Sequence, residues 1–296
     1  MNKYQNNNRH FFDKMWRFLF RLTGGVSVVL LVGIFIFLAV NASRILGSIS
    51  LGEFLFGAVW NPTSYHEPLW GTLSLVYGTF IISALALIIA LPLGLGTAVY
   101  LSEIAPRAVK EFLKPMVEMI ASIPSVVLGL IGLLFLAPVI ARMFGLSNGL
   151  NALTAAILVA FTALPTISSI SEDALSSVSP RLREASYALG ASQWETIWRV
   201  SVPAALSGVV ASVMLGFGRI IGETMIVLMV AGNSLAWPGS LLDPVRPMTA
   251  TVAIEIKEVV VNSTHWHALF AIGLLLFLIT FLLNIFVDVW LRKKSG

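Results

Sequence analysis

Apolar residues run along this chain in long blocks, with the charges collected between them. Uncharged stretches cover residues 22–43, 68–102, 119–141, 143–171 and 259–287, and a further stretch over 200–242 is interrupted only by Arg219 and Glu223. A bilayer core about 30 Å thick takes roughly 20 residues of α-helix, so each block is long enough to cross. The blocks are too long and too uniformly apolar for the alternating strands of about ten residues that build a membrane barrel. Helices satisfy their backbone groups internally, which hydrocarbon demands. The pattern predicts an all-α integral membrane protein with six transmembrane helices.

The same pattern sets the organisation. Residues 1–21 form a polar tail, 22–43 the first transmembrane helix, and 44–68 an external loop. Residues 69–291 form a core of five transmembrane helices that includes a polar loop at 179–203, and 292–296 close the chain. In the external loop Ser50 and Glu53 have capping-box spacing, which predicts a short helix with Phe54, Leu55 and Phe56 in the outer interface. That helix could receive an external partner or simply cover the bundle. Pro124 and Pro165, inside the third and fourth blocks, predict kinks.

Composition agrees: 57% hydrophobic and 11% charged residues in a 296-residue chain are far more apolar than a soluble core requires. The basic residues then orient the chain. With the N-terminus inside, the inner segments hold Lys3, Arg9, Lys14, Arg17, Arg21, Arg107, Lys110, Lys114, Arg181, Arg183, Arg199 and Arg292 to Lys294, against Arg44, Arg142, Arg246 and Lys257 outside. This positive-inside bias predicts cytoplasmic termini, and it accounts for the net charge of +4 without any nucleic acid. The first block is too long for a signal peptide and reads as an uncleaved anchor.

Catalytic signatures are missing. The chain has no cysteine, no G-x-x-x-x-G-K-[ST] phosphate loop and no H-E-x-x-H, so neither ATP nor a zinc ion is expected on it. His265 and His267 flank Trp266 just ahead of the last block, as interfacial anchors do. The expectation is a non-enzyme without cofactor or metal of its own.

Two features carry the functional reading. Within the polar loop, Ser179 and Pro180 open one helix, Gly190 is placed to end it, and Ser192 with Glu195 forms a capping box for a second. Leu182, Ala185, Ser186 and Leu189 make a narrow face on the first helix, and Trp194, Ile197 and Trp198 a bulkier one on the second. From periodicity alone this is either an amphipathic connector or a docking handle. The other feature is the pair Arg219 and Glu223, four apart in an otherwise apolar span. An ionisable group there costs about 2.5–3.5 kcal/mol on insertion scales and so faces protein or water. Their spacing allows an ion pair, and the Arg fork suits a tetrahedral oxyanion. Either it meets substrate or it only joins helices. Gly218 and Gly222 beside it permit close helix contact, and Thr224 adds a hydroxyl.

The polar loop resembles the E-A-A loop of ABC importer membrane subunits. Glu184-Ala185-Ser186, Gly190, Val200, Val202 and Pro203 fall on its positions, with Ser for the second Ala and valines for the usual Ile and Leu. Over residues 52–290 the chain is similar to permeases of the phosphate-specific ABC importer, through "VWNP" (59–62), "LWGTLSLVYGT" (69–79), "IALPLGLGTAVYLSEIAP" (89–106), "IASIPSVVLGLIGLLFLAP" (120–138) and "GRIIGETMIVLMVAGN" (218–233). The Gly-Glu-Thr-Met form is that of the PstC type.

This resemblance implies the MetI-like permease fold and a coupling helix, with Glu184, Ala185, Ser186, Leu189 and Gly190 docking a separate ATPase. It also implies a second permease of the PstA type, a dimer of ATPase subunits that carries ATP and Mg, and an external phosphate-binding protein. On this reading phosphate crosses by Arg219, Glu223 and Thr224, with Glu223 holding the guanidinium and competing for it. The alternatives are a permease for molybdate, tungstate or sulfate, or a phosphate-sensing scaffold. A secondary carrier would have no use for the loop.

Overall fold

The computed structural model describes residues 3–64 and 67–295. Helix α1 (Lys3–Ser43) leads through a 3₁₀ turn to α2 (Leu51–Phe56) and a two-stranded antiparallel hairpin, β1 (Trp60–Asn61) and β2 (Leu69–Trp70), in which Trp60 faces Trp70. Then follow α3 (Leu73–Val99), α4 (Arg107–Ala121), α5 (Ser125–Ile131), α6 (Ala137–Phe144) and α7 (Ala152–Ser176). The polar loop holds α8 (Pro180–Ala188), α9 (Gln193–Thr196) and α10 (Val202–Ala204). The chain closes with α11 (Leu206–Ile221), α12 (Met225–Val230), α13 (Met248–Glu255) and α14 (Thr264–Ser295). Single π-helical turns at Tyr100–Ile104, Gly132–Leu136 and Ile197–Ser201 continue α3, join α5 to α6 and lead into α10.

Five stretches among the described residues are long and apolar enough to cross a membrane: Lys14–Ser43, Leu73–Ile104, Ser125–Phe144, Ala152–Ser176 and Thr264–Val287. A sixth arises only if two helices bent by 73° at Ala205, Gln193–Ala204 and Leu206–Ile221, are counted together. The core is built on α7, which packs along α3 on one side and α11 on the other. Small residues make this possible. Ala86, Ala90, Ala155, Ala156, Ala160 and Ala163 are fully buried between the helices. A Cβ added at Gly94 of α3 would come within 2.8 Å of Ile167, and one at Gly216 of α11 within 2.5 Å of the same side chain. Close approach of this kind replaces the hydrophobic effect, which lipid tails do not supply. Helix α1 runs beside α14 on the outside, with Phe35 against Phe277 and Phe37 against Phe270.

The structure redraws two predicted boundaries. The third block does not run from 119 through a kink at Pro124. Pro124 is the extended residue that precedes α5, so the amphipathic α4 is a separate helix and the span occupies 125–144. Proline lacks the N–H that a continuing helix needs, and it starts one instead. The fourth block begins at Ala152 rather than 143, because Gly145 ends α6 at φ 66° and Asn151 caps α7 by accepting from the Thr154 N–H. Pro165 does lie inside α7, buried. In α2 the Ser50 hydroxyl accepts from the Glu53 N–H at 3.2 Å, yet Phe54 is buried beneath it while Phe56 is exposed.

Candidate functional site

The polar loop folds as a bent helical pair. Helix α8 starts at Pro180, with the Ser179 hydroxyl making no cap bond, and it stops at Gly190, whose φ of 84° is the left-handed conformation that side chains resist. The Gly190 and Ala191 N–H groups return to the carbonyls of Tyr187 and Ser186. Ser192 then completes a full capping box. Its hydroxyl accepts from the Glu195 N–H, and the Glu195 carboxylate accepts from the Ser192 N–H at 2.9 Å. Those bonds from Ser192, backbone first, hold the Glu195 carboxyl below its usual range. The Ser186 and Thr196 hydroxyls, 2.9 Å apart, tie α8 to α9.

What this loop presents is apolar and exposed: Leu189 is 89% accessible, and Leu182, Tyr187, Trp194 and Trp198 all stand out. Glu184 and Ala185 are exposed beside them, and Ser186 is half-buried. The expected face of Trp194, Ile197 and Trp198 is split. Ile197 is fully buried with Leu175, Val178 and Val209, because the π-helical turn at 197–201 rotates it toward the core. The loop thus carries a cluster of exposed aliphatic and aromatic side chains on a capped turn.

Ion pairs fasten this loop to the end of α3 and fasten α7 to α4. The Arg183 guanidinium donates to both carboxylate oxygens of Glu103, at 2.7 and 3.1 Å, and to the carbonyls of Leu175 in the last turn of α7 and Val178 just beyond it. Gln193 donates to the Glu103 carbonyl at 2.9 Å. Glu172, 1% exposed, takes Lys110 and Lys114 of α4 at 2.5 Å each, with Lys114 also on Asp173. Asp173 and Glu172 together raise the Lys114 ammonium above its ordinary range. Glu103 and Arg183 stand 80 residues apart, and sequence periodicity has no view of such a pair.

The charged span breaks where the sequence reading expected a continuous helix. Helix α11 ends at Ile221, so Glu223 lies past it and does not share its face with Arg219. Glu223 instead caps α12: its Oε1 accepts from the N–H groups of Met225 and Ile226 at 3.1 and 3.2 Å. No Arg219–Glu223 ion pair forms among the described residues, which corrects that expectation. Thr224 stands at the break with its hydroxyl on the Gly222 carbonyl, and Thr249 of α13 donates to the Glu223 carbonyl at 3.0 Å. Arg219 is exposed on the single chain, and a Cβ at Gly218 would meet nothing within 4 Å. Gly208 lies over Ala174 and Gly216 over Ala163, so Arg219, one turn farther on, is level with the middle part of α7. The break leaves Arg219 exposed near the end of α11, while Glu223 and Thr224, both half-buried, stand between α11 and α12. Near the hairpin, His265 instead meets Glu255 at 2.8 Å, and Glu255 also receives Arg246 and the Trp60 indole.

Residues 90–295 match the family described as "Binding-protein-dependent transport system inner membrane component". The chain is 37% identical to a probable ABC transporter permease protein, YqgH, of Bacillus subtilis, over 93% of this chain and 89% of that one. It is 36% identical to the phosphate transport system permease protein PstC of Mesorhizobium japonicum, over 92% and 87% of the two chains. The Haemophilus influenzae protein of that same name is 33% identical over 97% of each. Among solved structures, the fold is similar to that of the MetNI methionine ABC transporter in an inward-facing conformation, at TM-score 0.55 and 21% identity over 75% of this chain and 94% of that one. A bacterial alginate ABC importer superposes at TM-score 0.58 and 13% identity over 76% and 80%.

Proposed function

We infer the function from one premise: the chain belongs to the family of binding-protein-dependent transport system inner membrane components, and within it the chain is the permease subunit of an ATP-driven phosphate importer. It is a multi-pass inner-membrane protein that works with a second permease and with ATPase subunits. The single observation that carries this reading is the 33–36% identity to phosphate permeases along nearly the whole chain. The exposed turn around Leu189 supports the same reading, because a carrier working alone would have no partner to cover it.

The finer assignments extend that reading. The second permease is of the PstA type, an external phosphate-binding protein delivers the anion, and ATP with Mg sits on the ATPase dimer. The chain's own sequence has no phosphate loop to hold the nucleotide. Both termini are cytoplasmic, as the basic residues direct. Glu184, Ala185, Ser186, Leu189 and Gly190 form the part that docks the ATPase, and Leu189 fills its groove.

Phosphate passes Arg219. Among the described residues its guanidinium has no carboxylate partner, so it can offer paired N–H donors to an anion without first breaking an ion pair. Glu223 and Thr224, held at the break, line the same passage. A single cation binds weakly enough to let the anion leave, and capture is left to the external protein. The test is ATP-driven uptake of labelled phosphate by the reconstituted complex, competed with molybdate, tungstate and sulfate. Uptake that another oxyanion supports and phosphate does not would keep the family and replace the substrate.

A further inference from the structure

We propose that α3 is the rod that carries motion of the coupling loop to the break in α11, gripped at one end by Arg183 on Glu103 and at the other by Thr79 on α13. The inference rests on the reading of this chain as an ATP-driven permease and adds to it the route of the force.

The inner grip is unusually complete. Both Glu103 oxygens are engaged by Arg183, and the carboxylate is 5% exposed. The same guanidinium holds the carbonyls of Leu175 in the last turn of α7 and Val178 just beyond it, and Gln193 of α9 holds the Glu103 backbone. Paired N–H bonds from a planar fork fix orientation as well as distance. Coupling loop, α7 end and α3 end therefore move as one body.

Helix α3 is 27 residues long, about 40 Å at 1.5 Å per residue; it runs on through Pro92 and packs along α7. Near its other end the buried Thr79 hydroxyl accepts from the Met248 N–H at 2.9 Å, at the start of α13. The next residue, Thr249, donates to the Glu223 carbonyl at the α11 break. An unbroken series of directional contacts thus joins Arg183 to the residue that caps α12. Contiguity by itself is only spatial, and coupling is a free energy shared between the two ends.

A double-mutant cycle measures that energy. The complete complex, with both permeases, ATPases and binding protein, is reconstituted in vesicles, and phosphate moved per ATP hydrolysed is recorded with subunit stoichiometry. Glu103→Gln removes the charge and keeps the shape; Thr79→Val removes the hydroxyl and keeps the branch. Each is expected to lower phosphate moved per ATP about tenfold, within the usual range of coupling between sites, while subunits still co-purify and ATP is still hydrolysed. The double variant is expected to be no worse than the more damaged single one, since both cut one line.

Because the natural chain has no cysteine, Glu103→Cys with Arg183→Cys gives a second arm: bridging the two thiols with a short bismaleimide should restore the ratio that the reduced pair loses. Independent, multiplying defects in the cycle, an unchanged ratio in the singles, loss of ATPase co-purification, or no recovery on cross-linking would each overturn the proposal. A wild-type complex that moves no phosphate would instead defeat the functional reading itself.

Discussion

At the residue scale Arg219 and Glu223 are the only charges between Val200 and Leu242. The sequence displayed both, since two charges in an apolar block are conspicuous, but not that they lie on opposite sides of a helix break. Four-residue spacing means a shared face only on an unbroken helix, and nothing local announces that α11 stops at Ile221. Gly222 permits the stop, and the Glu223 carboxylate compensates by taking the first free N–H groups of α12. Different substitutions at Glu223 should therefore separate. Glu223→Gln, which keeps an acceptor oxygen, should leave the folded complex close to wild type in thermal stability, whereas Glu223→Ala should cost about 1 kcal/mol, the usual value of a lost cap. Equal stability of the two variants would show that the cap is unimportant.

At the scale of elements, the polar loop at 179–203 was the most legible part of the chain. Pro180, Gly190, and the Ser192 and Glu195 pair are local signals, and each has the backbone role its chemistry predicts. The fastening beneath it was invisible, because Glu103 and Arg183 meet only through the packing of α3 on α7. Gly190→Ala should destabilise the loop by about 1–2 kcal/mol through its positive φ, read as faster amide exchange over residues 184–196. Leu189→Asp should leave that exchange unchanged and abolish co-purification with the ATPase, because the side chain touches little within its own chain.

Acid acts on the same loop in a defined direction. Glu195 has its carboxyl lowered, so its cap contributes fully above the ordinary carboxylate range and is lost as pH falls through the lowered value. Amide exchange at 192–196 should accelerate only below that ordinary range; acceleration already near neutrality would contradict the cap.

For the whole molecule, long apolar blocks made the class readable and the number of spans readable to within one, because hydrocarbon admits little else. Their ends were less so. Pro124, Gly145 and Asn151 moved two boundaries by up to nine residues, from 143 to Ala152 in the larger case. The fifth crossing is also not one helix. Burial separates the spans: α7 is largely enclosed, while α1 keeps apolar side chains exposed from Met15 to Val40, although hydropathy marks both as long enough and apolar enough to cross. Enclosure belongs to a core helix and exposure to one that meets lipid.

The most direct test of the account is ATP-dependent uptake of labelled phosphate in a bacterial strain lacking its own importers, comparing the wild-type complex with one carrying Arg219→Gln. The account predicts uptake by the wild type and its loss in the variant, with the ATPase still bound and still hydrolysing ATP. Normal phosphate uptake by the Arg219→Gln complex would contradict it.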